Sequence, residues 1–337
     1  MSELVFSVAA LVLLFSVAIP ATTVLAKLVL MARRRRVPEI TQRGSSWGYL
    51  HVVAPVAIPV LWIVSAALHQ SEPGGALGAC LDDESLDAVC TGALSLAGSI
   101  TLLGIGMAAT VPGLKSASAH DSEGARAQRA RLNRVVAADP VLRLWRSRIV
   151  LVKGQPTPAC VRGLVRPHVE ISLEYLGRID DEMAHAVLLH EVEHARCRDP
   201  LRTLLAEVAM RFNPLAFLLR AEFARWKLAR EVACDRHAVR LGADRAALAE
   251  ALVVGARHDR PCPAFPALRS TERDALELRV RLLLDESSCD CACGSRRGVL
   301  SAFALLTMVA AAPHLMGSEP LDSFHRAVDE TALRTLG

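Results

Sequence analysis

The chain holds no internal repeat and no long low-complexity tract, which excludes a repeat array and a disordered linker protein. It also has little charge imbalance. The 39 Lys and Arg against 35 Asp and Glu leave only +4, too little to argue for nucleic acid or any other charged partner. Its nine cysteines include no two-by-two set with the spacing of a structural zinc site. Ahead of the first hydrophobic run, Met1-Ser2-Glu3 carries no positive side chain, so that run reads as an uncleaved membrane span rather than a signal peptide.

What the sequence does have is grease. Apolar residues make up 52% of 337, too many for an ordinary soluble enzyme. Four long apolar runs stand out: Leu4 to Ala26, Tyr49 to His69, Thr91 to Val111 and Val299 to Met316. Each is near the roughly 20 residues needed to cross about 30 Å of hydrocarbon. Arg33 to Arg36 and Arg43 lie between the first two runs, whereas 70–90 carries five acidic residues and no Lys or Arg. The positive-inside rule then puts both termini outside and the arginine loop inside. The expected organisation is span one within 1–32, a basic inner loop 33–48, span two 49–69 and an outer loop 70–90. Span three follows at 91–111, an inner domain at 112–298, span four at 299–316 and a short outer tail at 317–337. Pro20, Pro55 and Pro59 predict kinks in the first two spans, and His51 and His314 lie near membrane boundaries with no role assigned.

The cysteines divide by compartment. Cys80 and Cys90 share the outer loop, where a disulfide between them is expected to persist. Cys160, Cys197, Cys234 and Cys262 fall in the inner domain and are expected to be reduced. Cys289, Cys291 and Cys293 alternate just inside span four; without an obvious fourth ligand they read as a thiol-rich linker.

Within the inner domain, Asp121 to Ala138 reads as a polar helix, and Ile149–Val152, Ala159–Arg162 and His168–Ser172 read as short strands separated by Gly and Pro. A helical pattern then runs from about Asp180 to Arg198 and contains His190-Glu191-Val192-Glu193-His194. Residues four apart share a helix face, so His190 and His194 can present two imidazoles to one ion. Two neutral nitrogens suit zinc, and Glu191 beside the open coordination position can serve as general base. Met183 and Val187 continue the same stripe, which makes it the buried side of the helix. The longer metalloprotease pattern is excluded, because positions 197 and 200 hold Cys197 and Pro200 rather than glycine and histidine.

A third ligand must come from elsewhere. Glu231 and Asp235 are four apart in a second helical segment, so one can ligate while the other orients an imidazole. Thirty-six residues separate His194 from Glu231, enough for an antiparallel return. Asp199-Pro200 and Asn213-Pro214 each look like an N-cap followed by a first helical residue, predicting helices Leu201–Phe212 and Pro214–Leu241. The apolar stretch Leu215–Leu219 is expected to rest on the membrane surface, and Glu207, Arg211 and Pro214 argue against a fifth span. Ala243–Arg257 and Thr271–Leu284 complete an α-rich domain.

His190-Glu191-x-x-His194, then Asp199-Pro200, Asn213-Pro214 and Glu231-x-Ala233-Cys234-Asp235, resemble the BlaR/MecR-type membrane zinc peptidases, the M56 peptidase family. Pro158…Gly163…Pro167-x-Val169-x-Ile171 and Leu278-Arg279-Val280-x-x-Leu283 extend the likeness. The resemblance implies a mainly α membrane protein with four transmembrane helices. An α+β zinc metallopeptidase domain, a short sheet plus a helix bundle, would lie on the inner side between spans three and four. It implies one Zn2+ per chain held by His190, His194 and Glu231, with Glu191 as catalytic base and Asp235 in support. It also implies a winged-helix repressor of the BlaI/MecI type as substrate and self-cleavage near Arg296-Arg297, with the bilayer as partner and no direct nucleic-acid binding. The family's outer penicillin-binding sensor has no counterpart in the roughly 20 residues after span four, so direct β-lactam sensing is not expected. Whether two copies pair is left open. Among oxyanion donors, His168, Tyr175, His185 and His237 are candidates without an assigned role. Two other readings compete: a quality-control metalloprotease with many clients, and a signalling scaffold whose zinc is structural.

Overall fold

The computed structural model describes residues 12–34, 43–70, 123–258 and 266–285. Expected spans three and four, the Cys80–Cys90 pair, Cys262, the Cys289–Cys293 run, Arg296-Arg297 and His314 lie outside the described residues.

Two apolar helices come first. A π-helical turn at Leu14–Ala18 leads into α1 (Ile19–Arg34), and α2 (Arg43–Gln70) packs beside it. Leu14–Ala32 is the described helix long and apolar enough to cross a membrane, and α2 contributes a shorter apolar stretch, Gly48–Leu61. Pro20 sits in the first turn of α1, whereas Pro55 and Pro59 lie inside α2. Pro59 has no N–H to give the Pro55 carbonyl one turn back. Thr22 of α1 answers that deficit: its hydroxyl lies 2.7 Å from Pro55 O, closer than its contacts within its own helix at 2.9 and 3.0 Å. Thr22→Val should therefore cost about 1 kcal/mol, seen as a lower midpoint in thermal unfolding, whereas Thr22→Ser should keep it.

The rest is a helical domain with one small sheet. In order come α3 (Glu123–Ala138), α4 (Pro140–Leu144), β1 (Ile149–Val152), β2 (Ala159–Arg162), β3 (His168–Ser172) and α5 (Leu173–Leu176). Then follow α6 (Asp181–Arg196), α7 (Asp199–Phe212), α8 (Arg220–Arg240), α9 (Arg245–His258) and α10 (Pro266–Leu284). The sheet order is β1-β3-β2, with β1 parallel and β2 antiparallel to the central strand. Gly163 makes the β2–β3 turn possible. Its φ is +88°, and a Cβ there would lie 2.7 Å from the Arg166 carbonyl oxygen.

Helix α6 is the centre of this domain. Asp180 caps it by accepting from the Met183 amide at 2.8 Å, and Asp181 and Glu182 meet the positive end of its dipole. Arg131 of α3 holds the approach by donating to the Leu176 and Ile179 carbonyls at 2.7 Å each. Met183, Val187, Leu188, Leu189 and Val192 join Val169, Ile171 and Leu248 in one core. The most buried side of the helix that carries both histidines is thus clamped between the sheet and α9, which leaves it little freedom to shift.

Two helix starts differ from expectation. Asp199 does not cap α7; the helix begins at Asp199 itself, after Arg198 in a left-handed conformation (φ 53°). Its carboxylate is drawn away to His194 and Arg230. Nor does a helix begin at Pro214. Asn213 Oδ1 accepts from the Leu215 amide at 2.9 Å, a 3-10 turn spans Ala216–Leu218, and α8 starts at Arg220. The turn side chain competes with the helix for the backbone.

Candidate metal centre

Helix α6 offers His190 and His194 on one side, and α8 packs against that side with Glu231. The two Nε2 atoms are 3.1 Å apart. Glu231 Oε2 lies 3.5 Å from the His190 Nε2, and Oε1 lies 3.6 Å from the His194 Nε2. Zinc bonds of about 2.0–2.1 Å at tetrahedral angles need donors about 3.3 Å apart. The Nε2 pair lies near that value, and each imidazole has a Glu231 oxygen at 3.5–3.6 Å, Oε2 for one and Oε1 for the other, so a carboxylate facing both histidines can close the site around one ion. Glu231 is the open member, with its side chain 37% exposed, whereas His190 is buried.

Each imidazole is backed at its other nitrogen by a carboxylate. His190 Nδ1 lies 2.9 Å from Asp235 Oδ1, and His194 Nδ1 lies 2.8 Å from Asp199 Oδ2. At His194 the Nδ1–Asp199 hydrogen bond leaves Nε2 as the lone-pair donor, the tautomer a metal needs, and at His190 the Asp235 carboxylate stands beside Nδ1 and favours the same tautomer electrostatically. Two arginines then hold the carboxylates. Arg279 of α10 donates to both Asp235 oxygens at 2.8 Å and reaches Glu231 Oε2 at 2.9 Å. Arg230 donates to Asp199 Oδ2 at 3.0 and 2.7 Å.

The electrostatics follow from this packing. Burial works against charge on Glu231, but the imidazoles and Arg279 outweigh it and hold its carboxyl well below the usual range. Asp235 is likewise lowered despite burial, by Arg279 and then His190. Burial alone would depress His190, yet Asp235 and Glu231 push it up to about 9. Glu191 behaves oppositely. Burial raises its pKa, and the neighbouring imidazoles only partly offset that. Its charge is also felt at Cys160 on β2 and at Tyr175 on α5.

His194, Asp199 and Cys234 form a second close group of possible ligands. It uses the opposite nitrogen of His194, and the Arg230 guanidinium already sits on Asp199. An arginine also touches Glu231, so the choice rests on the imidazoles: the Glu231 group gathers both Nε2 atoms, whereas the second group offers one histidine whose Nδ1 Asp199 already engages, and the Glu231 group is the better cage.

Four residues considered as oxyanion donors have other engagements. Tyr175 donates to the Ala251 carbonyl at 2.7 Å; His168 pairs with Glu170 at 3.1 Å, His185 with Asp139 at 3.0 Å and His237 with Glu193 at 3.2 Å. The residues that sequence reasoning missed are Asp199, Arg230 and Arg279. An arginine set between the apolar Leu278 and Val280 was the available signal for the last.

A histidine pair and a glutamate on packed helices, each imidazole backed by a carboxylate, make the donor set of a mononuclear metal-dependent hydrolase. Residues 92–283 match the model of the BlaR1 peptidase M56 family, and the chain belongs to that family. Its members are membrane-associated metallopeptidases, usually zinc-dependent. No curated protein and no solved structure matches the chain.

Proposed function

We propose that this protein is an integral membrane zinc endopeptidase of the signal-transduction kind, whose substrate is a cytoplasmic winged-helix repressor. The observation that carries the chemistry is the convergence of His190, His194 and Glu231 within 4.8 Å. These three residues would hold Zn2+, which when bound polarises a substrate carbonyl and acidifies water. Glu191 accepts the proton of the attacking water, and its raised pKa suits a base that must later return that proton to the leaving amine. Asp235 and Asp199 keep both imidazoles in the ligating tautomer, while Arg279 and Arg230 keep those carboxylates ionised.

Peptide placement has a natural candidate in β2. This strand forms one edge of the sheet, and Cys160 on it feels the charge of Glu191. An extended substrate can add to that edge and lay its scissile bond beside the base. The four-span arrangement inferred from the charges puts the domain on the inner side of the membrane, where a cytoplasmic repressor is within reach.

The experiment that tests this function compares the proteomes of cells carrying the wild-type chain with cells carrying Glu191→Gln. Accumulation of one small DNA-binding protein in the variant supports the repressor reading. Accumulation of many unrelated membrane proteins overturns it in favour of quality control.

Zinc uptake should depend on pH in a stated direction. The metal-free His190 binds a proton up to about pH 9, and a metal must displace it. Apparent zinc affinity should therefore rise as pH climbs toward 9, by about tenfold per unit for each proton displaced. Competition with a chromogenic chelator between pH 6 and 9 measures this slope; a flat profile would mean that no proton is exchanged.

A further inference from the structure

The hairpin between the histidine helix and the glutamate helix runs alongside the two apolar helices, and its contacts advance step by step. At its base, Glu222 of α8 pairs with Lys27 of α1 at 3.4 Å, and Trp226 packs on Tyr49 of α2 with ring centroids 5.2 Å apart. Further along, Ala206 joins Val52 and then Ala209 joins Val56 and Leu14. At the turn, buried Asn213 donates to the Thr23 hydroxyl at 2.9 Å, and Phe212 stacks on Phe15 with centroids 6.1 Å apart. Lys27 is the last charge before the apolar part of α1. Thr23 lies four residues beyond it and Phe15 twelve, or about 6 and 18 Å at 1.5 Å per residue. A hydrocarbon layer is about 30 Å thick. The contacts of the turn therefore run from about a fifth of the way into that layer to roughly its middle, counted from Lys27.

We propose that residues 212–219 form a re-entrant element seated in the inner half of the bilayer, with lipid acyl chains against its outer side. This rests on the reading that α1 and α2 cross the membrane. Phe217 is 60% exposed and Leu205 47% exposed, apolar surface that acyl chains would cover. The backbone of the turn is acceptable at that depth because it lies against protein and satisfies itself: Asn213 closes the turn onto Leu215, and its amide is absorbed by Thr23. Glu222 enters near the surface with Lys27 and Arg225 beside it. Arg211 and Arg220 flank the turn, and their long stems can carry the guanidinium groups to headgroups or to a partner.

The test uses the full chain in lipid nanodiscs, open on both faces, with a membrane-impermeant maleimide quantified site by site by mass spectrometry. Leu144→Cys, at a position 84% exposed on the domain, should label readily, whereas Phe217→Cys and Val24→Cys on α1 should label at least tenfold more slowly. All three should label fully in denaturing detergent. A membrane-permeant bimane on Phe217→Cys should then be quenched by lipids brominated on their acyl chains. Fast labelling of Phe217→Cys with Val24→Cys protected would overturn the re-entrant turn and leave the spanning helix standing. Fast labelling of both would overturn the membrane reading of α1 itself. Protection without bromine quenching would assign the cover to protein and overturn the lipid contact.

Discussion

Glu191→Gln should reduce peptide cleavage by about 10²–10⁴-fold while leaving zinc content at one ion per chain. The side chain is not among the three converging donors, so its loss leaves the cage intact. The amide has the same shape but cannot take a proton, and the burial that raises the carboxyl pKa makes a neutral group easy to accommodate there. Zinc stoichiometry by elemental analysis and turnover of a co-expressed substrate measure the two halves separately. Proteolysis near the wild-type rate would remove Glu191 from the mechanism, and loss of zinc would show that it has been misplaced among the ligands.

The second large effect is expected at Glu231. Glu231→Gln replaces a charged oxygen donor with a weak neutral one, and zinc affinity should fall by more than about a hundredfold, with activity following. The fold should survive, because Arg279 still has both oxygens of Asp235. Asp235→Asn offers the graded comparison. It leaves the three donors in place but weakens the hold on His190, so affinity should fall by about 10–100-fold. Chelator competition ranks the two variants. If Glu231→Gln bound zinc as tightly as wild type, the cage would have to be closed by another group, and the Asp199–Cys234 side would be the place to look.

Much of the catalytic domain was legible because its local signals are strong. The three strands are short β-branched runs cut off by Gly154, Pro158, Gly163 and Pro167, and they occupy Ile149–Val152, Ala159–Arg162 and His168–Ser172 as expected. Helix α6 carried an acidic first turn and an unbroken apolar stripe, so its limits were readable to within two residues. Asp199 was misread for a physical reason. Aspartate before proline is a good cap locally, but the half-buried His194 imidazole and the Arg230 guanidinium compete for the same carboxylate and win. The sequence marks Arg279 only as part of a closing helix, since nothing within α10 says which acids it will meet 44 and 48 residues earlier. Side chains that act across such separations leave no periodic trace.

The packing of Trp226 on Tyr49 sets a height limit on the chemistry. Glu231 follows Trp226 by five residues, about 7.5 Å along the helix axis, so the metal cage hangs close beneath the layer in which α2 starts. On the proposed membrane reading, a peptide reaches this cage as a pliable strand slipping sideways under the lipid headgroups, and a rigid loop of equal sequence should be cut more slowly.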